Sequence, residues 1–154
     1  MAYQVWWIVE NRVLYIRQPV DLRLEDIRDS TRDIADHIEA AYQQNPTPLI
    51  IGVLDMREAT VDRLMRSALS VAVKNVVDVI DPRVWKAKPG FIILITTSNT
   101  VKILIYPVIK LSSQPITTVA TLAEALTVVS YMYPELQTEL DDFRKTDLFA
   151  GTQT

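Results

Sequence analysis

The chain has 154 residues, 49% of them hydrophobic, and no cysteine, so it is long enough to bury one core unaided, and disulfides, thiolate catalysis and Cys-ligated zinc are excluded. A net charge of −3 and a pI near 5.1, with Lys and Arg scattered, leave no basic patch for counterion release and argue against nucleic-acid binding. No apolar run approaches the roughly 20 residues that span a bilayer, and the opening "MAYQVWWIVE" has neither a basic region nor a cleavage site, so the expectation is a cytoplasmic protein with no membrane span.

"YQVWWIVENRVLYIRQP" predicts a β-hairpin. Tyr3, Val5, Trp7 and Val9 share one face of its first strand, and Gln4, Trp6 and Ile8 the other. The turn falls at Glu10-Asn11, because Asn tolerates positive φ. The adjacent Trp6 and Trp7 then point to opposite faces, so one of them needs cover from outside the main core. A helix follows over 23–44, with Ile27, Ile34, Ile38 and Ala41 at helical spacing, and Asn45, Pro46 and Pro48 stop it. "LIIGVLDM" is a nearly continuous apolar run, as expected of a central strand covered on both faces.

"TVDRLMRSALSVAVKNVVDVID" predicts the next helix, with Thr60 as N-cap, Asp62 in the first turn and Asp81-Pro82 as the stop. Its apolar arc is broad, which implies burial against more than one neighbour. "DPRVWKAKPG" reads as a loop and "FIILITTS" as a second buried strand. "NTVKILIYPVIKLSS" reads as a helix capped at Ser98 or Asn99 and kinked at Pro107. "QPITTVAT" is a last short strand. "TLAEALTVVSYMYPEL" is a last helix, with Thr121 and Glu124 forming a capping box.

The fold class is therefore α/β, in the order ββαβαβαβα. The sheet is mixed and mostly parallel, and the N-terminal hairpin supplies its antiparallel pair. Residues 1–140 form a single domain, and 141–154 a flexible C-terminal tail with Phe143, Leu148 and Phe149 as docking points.

Three segments give this order a resemblance to the STAS fold, and within it to the small SpoIIAA-like, SEC14-related proteins. The hairpin enters a long first helix. The strand "LIIGVLD" ends in an acidic residue before a helix. The close, "FIILITTSNTVKILIYPVIKLSSQPITTVATLAEALTVV", runs strand, Ser-Asn turn, apolar helix, short strand and a "T-x-x-E-A-L" helix start. The resemblance covers about residues 3 to 137. It implies a protein-interaction switch of the anti-sigma factor antagonist kind, in which a Ser at the start of the helix after the acidic strand is phosphorylated. Such a phosphate adds roughly −1.5 to −2 charge at a docking surface. Some relatives bind nucleotides or small apolar ligands instead. Here the Asp-Ser-Ser-Gly-like pattern is replaced by Asp55, Met56, Arg57, Glu58, Ala59 and Thr60, so Thr60 is the hydroxyl nearest that place. Glu58 and Asp62 would repel an added phosphate, while Arg57 and Arg63 would pair with it.

Enzymatic constellations are missing. His37 is the one histidine, placed beside the Ile34/Ile38 face as a boundary residue, and no carboxylates fall at metal-ligand spacing. Ser98-Asn99 have no imidazole near them in sequence and read as a helix cap. The three glycines, Gly52, Gly90 and Gly151, form no phosphate loop. No cofactor and no metal is expected.

The apolar helix over 99–112 is the stronger clue, because its apolar residues run nearly all round it. Other helices of the chain, a second copy, a protein partner or a lipid-like ligand are the candidate covers. The expectation is a non-enzymatic regulatory or protein-interaction module, its partners being a second copy in a homodimer and another protein. Asp55 and Thr60 would line a strand-end rim. Ser98, Asn99, Ile105, Tyr106 and Ile109 would form the interaction surface. The alternative is a carrier or sensor of a small apolar ligand, held between this helix and the sheet in a dry pocket of a few hundred Å3.

Overall fold

The computed structural model describes residues 3–46, 49–87 and 90–152. Strands β1 (Gln4–Val9) and β2 (Val13–Arg17) form the expected hairpin, with Asn11 in its turn at a φ of 62°. The register slips between Trp7 and Val9, a bulge that turns one side chain over. Val9 therefore joins Trp6 and Ile8 in one core, whereas Val5 and Trp7 pack in another. Helix α1 (Leu24–Gln44) follows, then strand β3 (Ile51–Asp55).

The next stretch differs from the sequence expectation. Thr60 caps no helix; residues 61–68 make turns, including one 3-10 turn at Leu64–Arg66, and helix α2 runs only over Leu69–Val79. Ala72 and Val76 are buried and Val73, Val77 and Val79 pack half-buried beside them, while Leu69 and Val71 are exposed. A broad apolar arc was compatible with a long helix; a one-residue cap motif did not fix where that helix starts.

The expected loop after Asp81 is instead a short helix, α3 (Pro82–Ala87). Pro82 at the first helical position leaves no orphan N–H there, and the Asp81 carboxylate accepts the Arg83 N–H at 2.9 Å. Lys88, Pro89 and Pro48 lie outside the described residues. Strand β4 (Phe91–Ile95), helix α4 (Asn99–Lys110), strand β5 (Ile116–Val119) and helix α5 (Leu122–Met132) complete the expected order. Helix α4 continues through Pro107. The carbonyl deprived of its partner belongs to Ile103, which is 52% exposed and lies toward water.

The C-terminal residues are not a loose tail. Helices α6 (Gln137–Arg144) and α7 (Asp147–Gly151) bury Leu140 and Phe143, and Phe143 stacks near Trp6 at 5.7 Å between ring centroids. Phe143 and Phe149 dock as the sequence suggested, whereas Leu148 stays exposed; few apolar residues at wide spacing hid the two helices that carry them.

The five strands lie in chain order, β1-β2-β3-β4-β5; the first pair is antiparallel and the remaining pairs are parallel. Three crossovers that all step in the same direction put α1, α2 and α4 on one face of the sheet. Tyr15, Ile51, Val53, Ile93 and Ile95 on the opposite face pack under α5 and α6. The molecule is a three-layer α/β/α arrangement around a mixed, mostly parallel sheet.

Candidate functional site

Asp55 ends β3 where the sequence placed it, but it forms no open rim. Its side chain is buried, and its oxygens accept from the Tyr15 hydroxyl at 2.5 Å, the Arg57 N–H at 3.1 Å, and the Arg57 guanidinium at 3.0 and 2.8 Å. The same guanidinium donates to the Thr152 carbonyl at 2.5 Å, which ties the last helix to the strand end. Burial alone would raise the Asp55 pKa; the hydrogen bonds from Arg57 and Tyr15 outweigh it and hold the carboxyl below its ordinary value. Burial first, and then the Asp55 charge, push the Tyr15 phenol well above its ordinary value. A carboxylate with all its acceptor directions taken is an anchor.

Thr60 is exposed, and it pins the chain after β2. Its N–H and hydroxyl both donate to the Val20 carbonyl, at 2.6 and 2.9 Å, and its own carbonyl accepts from the Leu22 N–H at 3.2 Å. The two arginines expected to receive a phosphate are already engaged. Arg57 holds Asp55, and Arg63 holds Asp21 at 2.9 Å.

Ser98 caps α4 by accepting the Val101 N–H at 3.2 Å, and Asn99 is exposed beside it. Ile105 and Ile109 do not face outward with them: both are buried. Tyr106 is half-buried, its hydroxyl hydrogen-bonded to Thr118. The five residues therefore do not form one surface; Ile103 on this helix and Leu111 just after it are the exposed large apolar residues here.

Turned inward, Ile105 and Ile109 line a cavity of about 150 Å3 between the sheet and the helices α1, α2, α3 and α4. Its floor is the β2–β4 face, with Leu14, Ile16, Leu54 and Ile92 around Gly52. Gly52 makes the space: a Cβ built there would meet nothing within 4 Å. Ile38 of α1, Val76 of α2 and Trp85 of α3 contribute to the roof. Polar lining is sparse. Thr31 Oγ1 donates to the Arg28 carbonyl and accepts the Asp81 N–H, and Ser112 Oγ donates to the Ile109 carbonyl. Two amide oxygens in the lining, Gln18 Oε1 and Gln114 Oε1, are buried with no hydrogen-bond partner.

Neither Gly52 nor Gln18 was singled out by the sequence as a site residue. A glycine inside the apolar run "LIIGVLDM" was the available signal, since strand glycines often mark a close approach. His37 sits edge-on to Trp7, at 5.8 Å between ring centroids, with Nδ1 2.8 Å from the Asp33 carbonyl oxygen. Among the described residues no group of three or more His, Cys, Asp or Glu side chains is placed to hold a metal ion, and no helix is long and apolar enough to cross a membrane.

The scan against protein-family models gives no match, and neither the search of curated proteins nor that of solved structures gives one.

Proposed function

We propose that the protein is a non-catalytic sensor or carrier that receives a compact apolar molecule in the cavity above Gly52. The observation that carries this reading is Gly52 itself. A glycine in the middle of a central strand weakens the strand and packs nothing. Here it stands under open space inside an apolar lining, where any larger residue would fill the room.

Size selects the ligand. Apolar cavities of about 150 Å3 stay dry and admit molecules such as benzene, whereas drug-sized ligands occupy about 300–1,000 Å3. The volume of about 150 Å3 favours a single ring or a short branched hydrocarbon over an acyl chain. Helix α4 favours a sensor over a plain carrier. Its inner side gives Ile105, Val108 and Ile109 to the cavity, and Ile103 and Leu111 stand outside. A regulatory role of the STAS kind would use that outer side for a partner.

The test is an NMR titration with benzene on the wild type and on Gly52→Leu. Saturable shifts at the Gly52 and α4 amides, absent in a folded Gly52→Leu protein, are the expected result. A folded wild type that shows no saturable shift removes the proposal.

A further inference from the structure

We propose that the outer edge of β5 docks an extended, acidic segment of another protein. Strand β5 ends the sheet, and only β4 pairs with it. The Pro115 and Val119 carbonyls accept the Ile92 and Thr96 N–H groups, each at 3.0 Å. Backbone groups alternate in direction along a strand, so the N–H and C=O of Ile116 and Thr118 point away from β4, with no hydrogen-bond partner among the described residues. The open stretch is bounded at Ala120, whose N–H is taken by the Glu124 carboxylate at 3.2 Å. The strand has no charge and no proline, and its register is unbroken, whereas β1 at the other edge is bent by its bulge. Such an edge is a template for a further strand.

Charge selects the occupant. The Tyr106 hydroxyl is hydrogen-bonded to Thr118, so that side of α4 lies along β5. Lys102 and Lys110 stand one helical turn before and after Tyr106 on the same side, Lys102 half-buried and Lys110 exposed. From Pro82 to Ala123 the sequence holds Arg83, Lys86, Lys88, Lys102 and Lys110 and no carboxylate side chain. Pairing β5 with β5 of a second copy would bring the two lysine stripes together, which like-charge repulsion opposes. An incoming strand with carboxylates on its α4 side is attracted instead. Eight helical residues rise about 12 Å and four strand residues span about 13 Å, so acidic side chains at i and i+4 of the partner strand meet Lys102 and Lys110 together.

The probes are the synthetic peptide Thr-Glu-Thr-Val-Thr-Glu-Thr and the same peptide with Lys in place of both Glu, titrated against the full chain by NMR. The Glu peptide is expected to shift the Ile116 and Thr118 amides saturably and to bind at least tenfold tighter than the Lys peptide. Lys102→Glu combined with Lys110→Glu reverses that order. Thr118→Pro, which removes an outward N–H, abolishes binding, and Thr118→Val, which keeps it, does not. Equal affinities for the two peptides, binding of neither at millimolar concentration, or shifts at β1 instead of β5 overturn the proposal. Equal binding by folded Thr118→Pro and Thr118→Val also overturns it, because the lysines alone then hold the peptide. A wild-type dimer that protects the Ile116 and Thr118 amides from exchange assigns the edge to a second copy and overturns it too. The wild-type preference decides the matter even if a variant does not fold, and none of these outcomes bears on the cavity above Gly52.

Discussion

Tyr15 donates its hydroxyl proton to Asp55 at 2.5 Å, from the strand beside it, on the sheet face that α5 and α6 cover. The pair would be a buried charge with one donor were it not for Arg57, which fills the remaining acceptor directions and then reaches the Thr152 carbonyl. Removing one partner of a buried ion pair costs about 3–5 kcal/mol, because the other is left uncompensated. Asp55→Asn is expected to lose that much. Tyr15→Phe is expected to lose about 1–3 kcal/mol, the cost of an acceptor left short of a donor. An unfolding free energy from urea that falls by less than about 0.5 kcal/mol in Asp55→Asn would show that the cluster is not an anchor.

The same pair contributes to stability in opposite ways at the two ends of the pH scale. Asp55 titrates lower in the folded chain than its ordinary 3.8, so its contribution is present above that pH and lost as pH falls through the depressed value. Tyr15 titrates higher than its ordinary 10.0, so its contribution is present below pH 10.0 and lost as pH rises beyond it. Thermal midpoints are therefore expected to form a plateau with an acid and an alkaline limb. Tyr15→Phe should shrink the alkaline limb, and an unchanged limb would assign it to other groups.

Cutting the chain after Leu140 tests whether the C-terminal helices belong to the domain. The cut removes Phe143, whose ring lies 5.7 Å from those of Trp6 and Phe149, and the Thr152 carbonyl that Arg57 grips. Loss of a buried Phe alone costs about 3–5 kcal/mol. The shortened chain is expected to melt well below the full one, with tryptophan emission shifted to the red. Equal melting temperatures would make these residues an appendage.

Two glycines should respond in opposite ways to the same change. Gly52→Ala puts a methyl group into open space in a strand and is expected to stabilise by about 0.5–1 kcal/mol. Gly90→Ala puts one 2.7 Å from the Leu49 Cβ, so the chain must shift and stability must fall. Melting temperatures that move the same way in both variants would show that the room above Gly52 is not there.

The order of strands and helices was legible because periodicity is a strong signal: "LIIGVLDM" and "FIILITTS" could only be covered strands, and α1 has a clear stripe. Ser98 and Thr121 were legible as caps, and both accept the expected N–H, from Val101 and Glu124. Glu124 completes its box one residue early, on the Ala120 N–H at 3.2 Å. Thr60 was misread because a Thr two residues before an Asp looks the same whether it caps a helix or pins a loop. Ile105 and Ile109 were assigned to an outward interaction surface and are instead buried; which side of α4 is covered depends on where α2 and α3 sit, and that is a tertiary fact. A pocket between the apolar helix and the sheet was expected as the alternative reading, but its smaller size and its place above Gly52 were not legible. It is defined by a missing side chain at Gly52 and by distant roof residues such as Trp85, which no local pattern links.

Because strand order follows chain order, each strand leaving the ribosome finds its neighbour already in place, and no strand has to wait for a later one to be inserted beside it. The two sheet faces mature at different times. Helices α1, α2 and α4 arrive between the strands they cover, whereas Tyr15, Ile51, Val53, Ile93 and Ile95 stay bare until α5 and α6 are made last. At about 5–20 residues per second, that face is uncovered for several seconds in every round of translation. The nascent chain is thus sticky on one side only, and a premature stop before residue 122 would release a protein with its sheet assembled and half of its core open.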